Sequence, residues 1–333
     1  VTFVTRRLAE VAKKVGVSEA TVSRVLNGKP GISDSTRAAV LTALDVLGYE
    51  RPTKLRGERA RLVGLVLPEL QNPIFPAFAE VVAGALAKRG FTPVLCTRTA
   101  EGVSEADYVD MLLDQHVSGV IFAGGLYAQG DAEHEHYHRL HQRGLPAVLV
   151  NAPIAGIDFP TVSADDAVAV RQAYGHLRSL GHDRIGLVLG PEDHAPSARK
   201  CVEYGELAGS TVDVERALFS MEGGQAAATR LLRRGVTGII CASDVLALGT
   251  IRAARRAGFA VPSDVSVIGY DDSPFMACTD PPLTTIRQPI ESMGQAVVSL
   301  LVDQVTGAGA PTEELFFETE LVVRGSTAPV RPR

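Results

Sequence analysis

Residues 8 to 27, LAEVAKKVGVSEATVSRVLN, constrain the start of this chain to two short amphipathic helices broken by one glycine. Leu8, Val11, Ala12 and Val15 recur at helical spacing, and Gly16 ends the run. Val17 packs the turn, and Ser18 can cap a second helix by accepting a backbone N–H bond. That helix is predicted to bury Val22, Val25 and Leu26 and to turn Glu19, Ala20, Thr21, Ser23 and Arg24 outward near its N-terminal end. Small hydrogen-bonding side chains there suit the DNA major groove, and Arg24 can read a guanine bidentately or grip a phosphate. An ordinary helical hairpin with a polar face would share the pattern, but the following segment argues against it. Ser33 caps a third helix with apolar positions Val40, Leu41, Leu44 and Leu47, and Gly48 ends it. Three helices in about 50 residues make an all-α headpiece close to the smallest self-supporting size.

Charge separates this head from the rest. Residues 1–61 hold 12 Lys/Arg against 6 Asp/Glu, a net of +6, while the whole chain is −5 and the remainder therefore −11. A basic head on an acidic body suits a DNA reader, because cationic side chains gain by releasing phosphate counterions. No apolar run reaches the about 18 residues of a membrane span, and VTFVTRRLAE lacks a signal-peptide core, so no membrane partner and a cytoplasmic location are expected. Cys96, Cys201, Cys241 and Cys278 lie far apart without CxxC spacing and read as reduced thiols, not as a zinc site or disulfides.

Beyond residue 61 short apolar runs alternate with helical patterns. Strands are expected near 62–67, 93–96, 119–123, 147–151, 185–189, 238–242 and 265–269, with helices near 74–89, 104–115, 165–180, 223–234 and 244–257. Such alternation implies parallel sheets covered by helices, with ligands bound beyond the carboxyl ends of the strands. A fresh series starts at Asp165, which suggests two lobes and a cleft. Enzymatic templates fail: no GxGxxG follows the first strand, and no GxxxxGK[ST] or GxSxG occurs. Asp271–Asp272 after a strand reads better as a hydroxyl acceptor, cap or turn than as a catalytic pair. The run Glu133 to His138 with His141 could pair His134 and His138 on a metal, but a solvent-facing helix is the preferred reading. No catalytic residue, metal or cofactor is expected.

The segment VSEATVSRVLNGKPGISDSTRAAVLTALDVLGY closely resembles the headpiece of the LacI family of sugar-responsive bacterial transcription regulators. The resemblance covers nearly the whole chain. It implies an α/β architecture: a helix-turn-helix headpiece (1–50), a linker (51–61) and a two-lobed, periplasmic-binding-protein-like effector domain (62–330) with parallel sheets. Lobe 1 is expected over about 62–160 and 290–318, lobe 2 over about 161–288 and 319–329. The implied DNA contacts are Arg7, Leu8, Ser18, Glu19, Ala20, Thr21, Ser23, Arg24, Asn27 and Leu55, the last as a minor-groove wedge.

Effector contacts follow from motifs matched one at a time. LVGLVLPELQNPIFPAFAEVV puts Phe75 where an aromatic could lie on a sugar ring, or simply anchor its helix in the core. VLVNAP puts Asn151 at a strand end. In IGLVLGPEDHAPSARK the family's effector-fastening basic position falls on Lys200, with Arg199 adjacent. Phe219 stands at a pocket-aromatic position, Ser243 where many relatives carry asparagine, and Asp271, in VIGYDDSP, where the family binds ligand hydroxyls.

Two segments depart from the family pattern. YERPTKLRGERARLVGLV is shorter than the usual hinge, and Pro52 and Gly57 leave room for barely one helical turn, so a reduced or absent hinge is expected. Glu203–Tyr204 replaces the usual glycine-aromatic pattern, which loosens the pocket assignment of Arg199 and Lys200. The implied activity is operator binding by a homodimer, most plausibly as a repressor, controlled by a small carbohydrate. The combination of GYERP, MEGGQAAA, CASDVLALGTIRAAR and PPLTTIRQP is most similar to members controlling maltose operons, pointing to a maltose-type sugar. The alternatives are a purine or phosphorylated corepressor, or a cytoplasmic sugar-binding protein that would have no use for residues 8–47.

Overall fold

The computed structural model describes residues 11–26, 31–46, 61–98, 102–130, 132–209 and 213–330. The chain divides into two compact units, Val1–Arg61 and Leu62–Arg333.

In the first unit, helix α1 covers residues 11–15, α2 spans Glu19–Leu26 and α3 spans Asp34–Val46. Gly16 takes φ +75°, the left-handed conformation that suits glycine at a helix end. Its N–H and that of Val17 donate to the Ala12 carbonyl at 2.9 and 3.1 Å, closing α1. Ser18 Oγ then accepts the Thr21 N–H at 3.1 Å, and Ser33 Oγ accepts that of Thr36 at 3.2 Å, so both following helices start on serine caps. Val11, Ala12, Val22, Val25, Val40 and Ala43 are buried together, with Val15, Val17 and Ile32 packed against them. The side chains of Leu26, Leu41 and Leu44, and residues Leu8, Leu47 and Gly48, lie outside the described residues, as does the segment 51–60 on which the reduced hinge was expected.

The second unit contains two six-stranded sheets. In chain order its elements are β1 (Arg61–Leu67), α4 (Ile74–Lys88), β2 (Phe91–Thr97), α5 (Glu105–Asp114), β3 (Gly119–Phe122), α6 (Glu135–Gln142), β4 (Ala147–Val150) and β5 (Thr161–Ala164). There follow α7 (Asp166–Ser179), β6 (Ile185–Leu189), α8 (Ala195–Ala208), β7 (Asp213–Arg216), α9 (Met221–Arg233), β8 (Gly238–Cys241), α10 (Asp244–Arg256) and β9 (Ser266–Asp271). The chain ends with β10 (Thr284–Arg287), α11 (Ile290–Thr306), β11 (Glu314–Phe317) and β12 (Glu320–Val322). Strand order is β11-β5-β4-β3-β1-β2 in the first sheet and β12-β10-β9-β8-β6-β7 in the second. The recorded pairings are parallel except that β12 runs antiparallel to β10. The chain crosses between lobes after β5, after β10 and after β11.

Two expectations need correction. The first lobe was expected to end at residue 160, but Thr161–Ala164 pairs with β4 and β11 in the first sheet, so the crossing falls at Ala164–Asp165. Strands such as TVSA are too short and polar to stand out, yet inside a parallel sheet even Thr161 and Ser163 are buried. The histidine-rich helix α6 is not simply solvent-facing: His136, Tyr137 and Leu140 are buried. Glu105 accepts a hydrogen bond from the Tyr137 hydroxyl and pairs with His136 Nε2 at 3.0 Å. His134 Nε2 lies 3.2 Å from the carbonyls of Leu126 and Gln129, so His134 is tied to the neighbouring loop.

Helices α9 and α10 show what the glycines of MEGGQAAA and ALG do in the second lobe. A Cβ on Gly249 would lie 2.1 Å from the Met221 carbonyl oxygen, and one on Gly224 2.3 Å from that of Leu246. Only glycine permits backbones this close.

Candidate functional site

Within the first unit α2 presents the expected polar face. Val22 and Val25 are fully buried, Glu19, Ala20 and Arg24 are exposed, and Thr21 and Ser23 are partly so. Ser18 spends its oxygen on the cap and also hydrogen-bonds the Thr21 hydroxyl at 2.9 Å, fixing the N-terminal turn. Arg7, Leu8, Asn27 and Leu55 lie outside the described residues.

Within the second unit the carboxyl ends of the central strands of both sheets face one cavity of about 380 Å³. Lobe 1 contributes Asn72, Phe75, Arg98 and Asn151 among others; lobe 2 contributes Asp166, His194, Lys200, Phe219, Ser243 and Asp271; Gln288 comes from a crossover. Six of the seven expected effector residues therefore meet here. Arg199 is the correction: it does not line the cavity, because its guanidinium is held bidentately by Glu314 at 2.8 and 2.9 Å.

Asp271 is the most unusual group in the cavity. It ends β9 at φ +118°, a strained backbone for a non-glycine residue, and its side chain is buried. Gln288 Nε2 donates to its Oδ1 at 2.7 Å. Its Oδ2 is buried with no hydrogen-bond partner at full geometry among the described residues, and the Asn72 side chain, near enough to ease its ionisation as a hydrogen-bond donor, faces the carboxyl. Burial, and then the charge of Asp244, push its carboxyl well above the usual range. Asp244 sits behind it, accepting from Thr285 Oγ1 at 2.6 Å and from the Ser273 N–H at 2.7 Å, and burial pushes its carboxyl up to about 7. A carboxyl that resists ionisation and lacks one partner is suited to exchange hydrogen bonds with a neutral hydroxyl.

Lys200 and His194 are correspondingly muted, whereas Arg98, on the lobe 1 side of the cavity, is exposed. Lys200 Nζ donates to Asp166 and lies 4.0 Å from the centroid of the Tyr270 ring. Burial raises the Asp166 carboxyl, against the lowering effect of Lys200. His194 Nδ1 is 2.9 Å from Ser197 Oγ, and burial, reinforced by Lys200, lowers the imidazole to about 4, so it is neutral at pH 7. Ser243 Oγ accepts the Leu246 N–H at 3.2 Å as the cap of α10, which leaves its hydroxyl hydrogen to donate elsewhere. Asn151, at φ +74°, accepts the Ala164 N–H on Oδ1 at 3.2 Å and keeps its amide N–H groups as donors.

Apolar surface completes the walls. Phe219 packs edge-on against His194 with ring centroids 5.2 Å apart, and lies so close to Gly190 that a Cβ there would be 2.3 Å from Cζ. Phe75 belongs both to the cavity wall and to the margin of the lobe 1 core. The sequence reading missed Asn72, Asp166, His194 and Gln288. Asp166 and His194 carried a signal, each standing at a helix start just beyond a strand. Asn72 and Gln288 carried none. Tyr204, which replaces the family's usual residue, is fully buried and donates to the Ile185 carbonyl at 2.6 Å, so that departure is a packing solution inside lobe 2.

Comparison with known proteins agrees with this arrangement. Residues 7–52 match the family of bacterial regulatory proteins, lacI family, and residues 174–327 match the periplasmic binding protein-like domain. The chain is 52% identical to the HTH-type transcriptional regulator MalR of Streptomyces coelicolor, over 97% of each chain. Among solved structures it resembles the transcriptional regulator CelR–cellobiose complex, at 34% identity and TM-score 0.71 over 96% of this chain and 99% of that one. It also resembles the lac repressor dimer bound to operator and the anti-inducer ONPF, at 26% identity and TM-score 0.71 over 96% and 98%. With a helix-turn-helix unit ahead of a two-lobed cleft and such likeness along its length, the chain belongs to the lacI family and is a DNA-binding transcriptional regulator.

Proposed function

We propose that the cleft takes a neutral carbohydrate of maltose type, and that its occupancy sets the affinity of a homodimer for operator DNA in the cytoplasm, with repression as the default. The observation that carries the ligand reading is Asp271 Oδ2, buried in the cavity wall with no hydrogen-bond partner at full geometry among the described residues, on a carboxyl that resists ionisation. The surroundings favour the same class: Lys200 is already paired with Asp166, His194 is neutral, and Phe75 and Phe219 offer faces for sugar C–H groups. A phosphorylated or otherwise anionic effector would find the buried Lys200 occupied and would have to rely on the exposed Arg98. The name of MalR and the cellobiose held by CelR support a disaccharide, and the operator-bound lac repressor dimer supports the two-headed mode of DNA binding.

The mechanism proposed is linkage between ligand and lobe arrangement. Asp271 is tied to a crossover, since Gln288 donates to it from both its side chain and, at 3.4 Å, its backbone N–H. Asp166 directly follows another crossover. A ligand that grips these carboxyls therefore acts on the segments about which the lobes move. In the headpiece, Glu19, Ala20, Thr21, Ser23 and Arg24 are the proposed base- and phosphate-reading face.

The test is a thermal-shift titration with maltose, cellobiose, lactose and ribose beside adenine and glucose 6-phosphate, followed by operator gel shifts with each hit. Stabilisation by maltose, with a changed operator affinity, is expected. Stabilisation by adenine or the sugar phosphate alone would overturn the reading.

A further inference from the structure

Two adjacent cations on α8 point opposite ways. Lys200 turns into lobe 2, to Asp166 and the cavity, while Arg199 reaches across to lobe 1. The side-chain hydrogen-bond and ring partners of Arg199 belong to the other lobe: both Glu314 oxygens at 2.8 and 2.9 Å, the Asn151 carbonyl at 3.5 Å, and the Phe316 ring with its centroid 5.5 Å from the guanidinium carbon. Its charge is also felt by Asp166 in lobe 2. Glu314 is itself fixed within lobe 1 by the Ser163 hydroxyl, which donates to Oε1. The two side chains are only 29% and 17% exposed, so salt screens them less than a surface pair. None of these residues lies on a crossover segment.

We propose that the Arg199–Glu314 pair is a strap that biases the two lobes toward the closed arrangement, making Arg199 a positioning residue and not an effector contact. Its bonds span the lobes, so they exist only while the lobes are together and their whole worth enters the opening equilibrium. Bidentate charge-assisted geometry makes that worth larger than for a single contact. The neighbouring Lys200 lines the cavity from the same helical turn, so a ligand that shifts this turn acts on strap and cavity at once.

A second cross-lobe contact supplies the readout. The Gly130 N–H of lobe 1 donates to the Asp193 carbonyl of lobe 2 at 3.0 Å, beside a bridge between Gln129 and His194. Hydrogen exchange at Gly130 in the ligand-free full chain therefore reports lobe separation, and this test stands apart from the identity of the effector. Arg199→Gln and Glu314→Gln are each expected to speed exchange at Gly130 by about ten-fold, with the double variant no faster than either single one. Exchanging the charges, Arg199→Glu with Glu314→Arg, should restore protection. The sheet-interior amides of Ile121 and Ile240 should stay unchanged throughout. Unchanged Gly130 exchange in the single variants, additive acceleration in the double, or equal acceleration at Ile121 and Ile240 would each overturn the proposal.

Discussion

The headpiece closes on Val11, Ala12, Val22, Val25, Val40 and Ala43, all from three short helices that are neighbours in sequence. In the second unit residues far apart in the chain pack together: Val63 and Leu65 share a core with Val297 and Leu301, and Leu187 with Ile286. The difference teaches where each function is built. A DNA-reading face needs one helix with a buried stripe and a polar one, so it is local. The cleft needs strand ends from two sheets and three crossovers, so it is non-local. It also separates vulnerabilities, because a headpiece of about 50 residues tolerates little loss while the larger lobes have a surplus.

The sharpest break between the units comes from Val22→Ala. Truncating a fully buried side chain in so small a core should cost about 2 kcal/mol, enough to abolish operator retention in gel shifts, while the main melting transition of the second unit stays in place. In the second unit, Gly249→Ala forces a methyl against the Met221 carbonyl. A loss of about 2 kcal/mol is expected in the urea midpoint of that unit, with the headpiece unaffected. Arg24→Ala should weaken operator binding about ten-fold and leave maltose affinity untouched, measured by gel shift and calorimetry on the same sample. Asp271→Asn should do the reverse, lowering maltose affinity by about ten-fold with operator affinity in the absence of sugar retained. An equal loss of both in either variant would mean that the two functions are not separable by unit.

The smallest effect is one of pH. His194 has a folded pKa of about 4 against the ordinary 6.5, and burial also lowers His176 and His182. Between these values the unfolded chain binds a proton that the folded chain refuses, so stability falls as pH drops from about 6.5 through about 4. By about pH 5, His194→Gln should remove about 2 kcal/mol of that loss, read as a shallower dependence of the urea midpoint on pH. Residues 1–61 contain no histidine, so the headpiece transition should lack this slope.

Much of the molecule could be read from residue order alone, and the failures share a cause. Ser18, Gly16 and the Val22–Val25 stripe act within one or two turns, where propensity and capping decide. The apolar central strands were visible as runs, whereas TVSA, DVER and TTIR become strands only because neighbours supply their hydrogen bonds. In the cleft, Phe75, Asn151, Lys200, Phe219, Ser243 and Asp271 were reachable from motifs at strand ends and helix starts. Asn72 and Gln288 were not, since only the meeting of the two lobes brings Asn72, and only the folded crossover brings Gln288, to Asp271.

Residue order by itself determined the helix-turn-helix, the alternation of strands and helices, and the family, because each rests on short-range spacing that no distant contact can undo. Tertiary structure decided which of two adjacent cations faces the cavity. The motif pointed to Lys200 but kept the adjacent Arg199 as a second contact; a fixed Glu314 stands on one side of α8 and a buried Asp166 on the other. The longer, bidentate side chain took the partner across the lobes, and the lysine took the one inside.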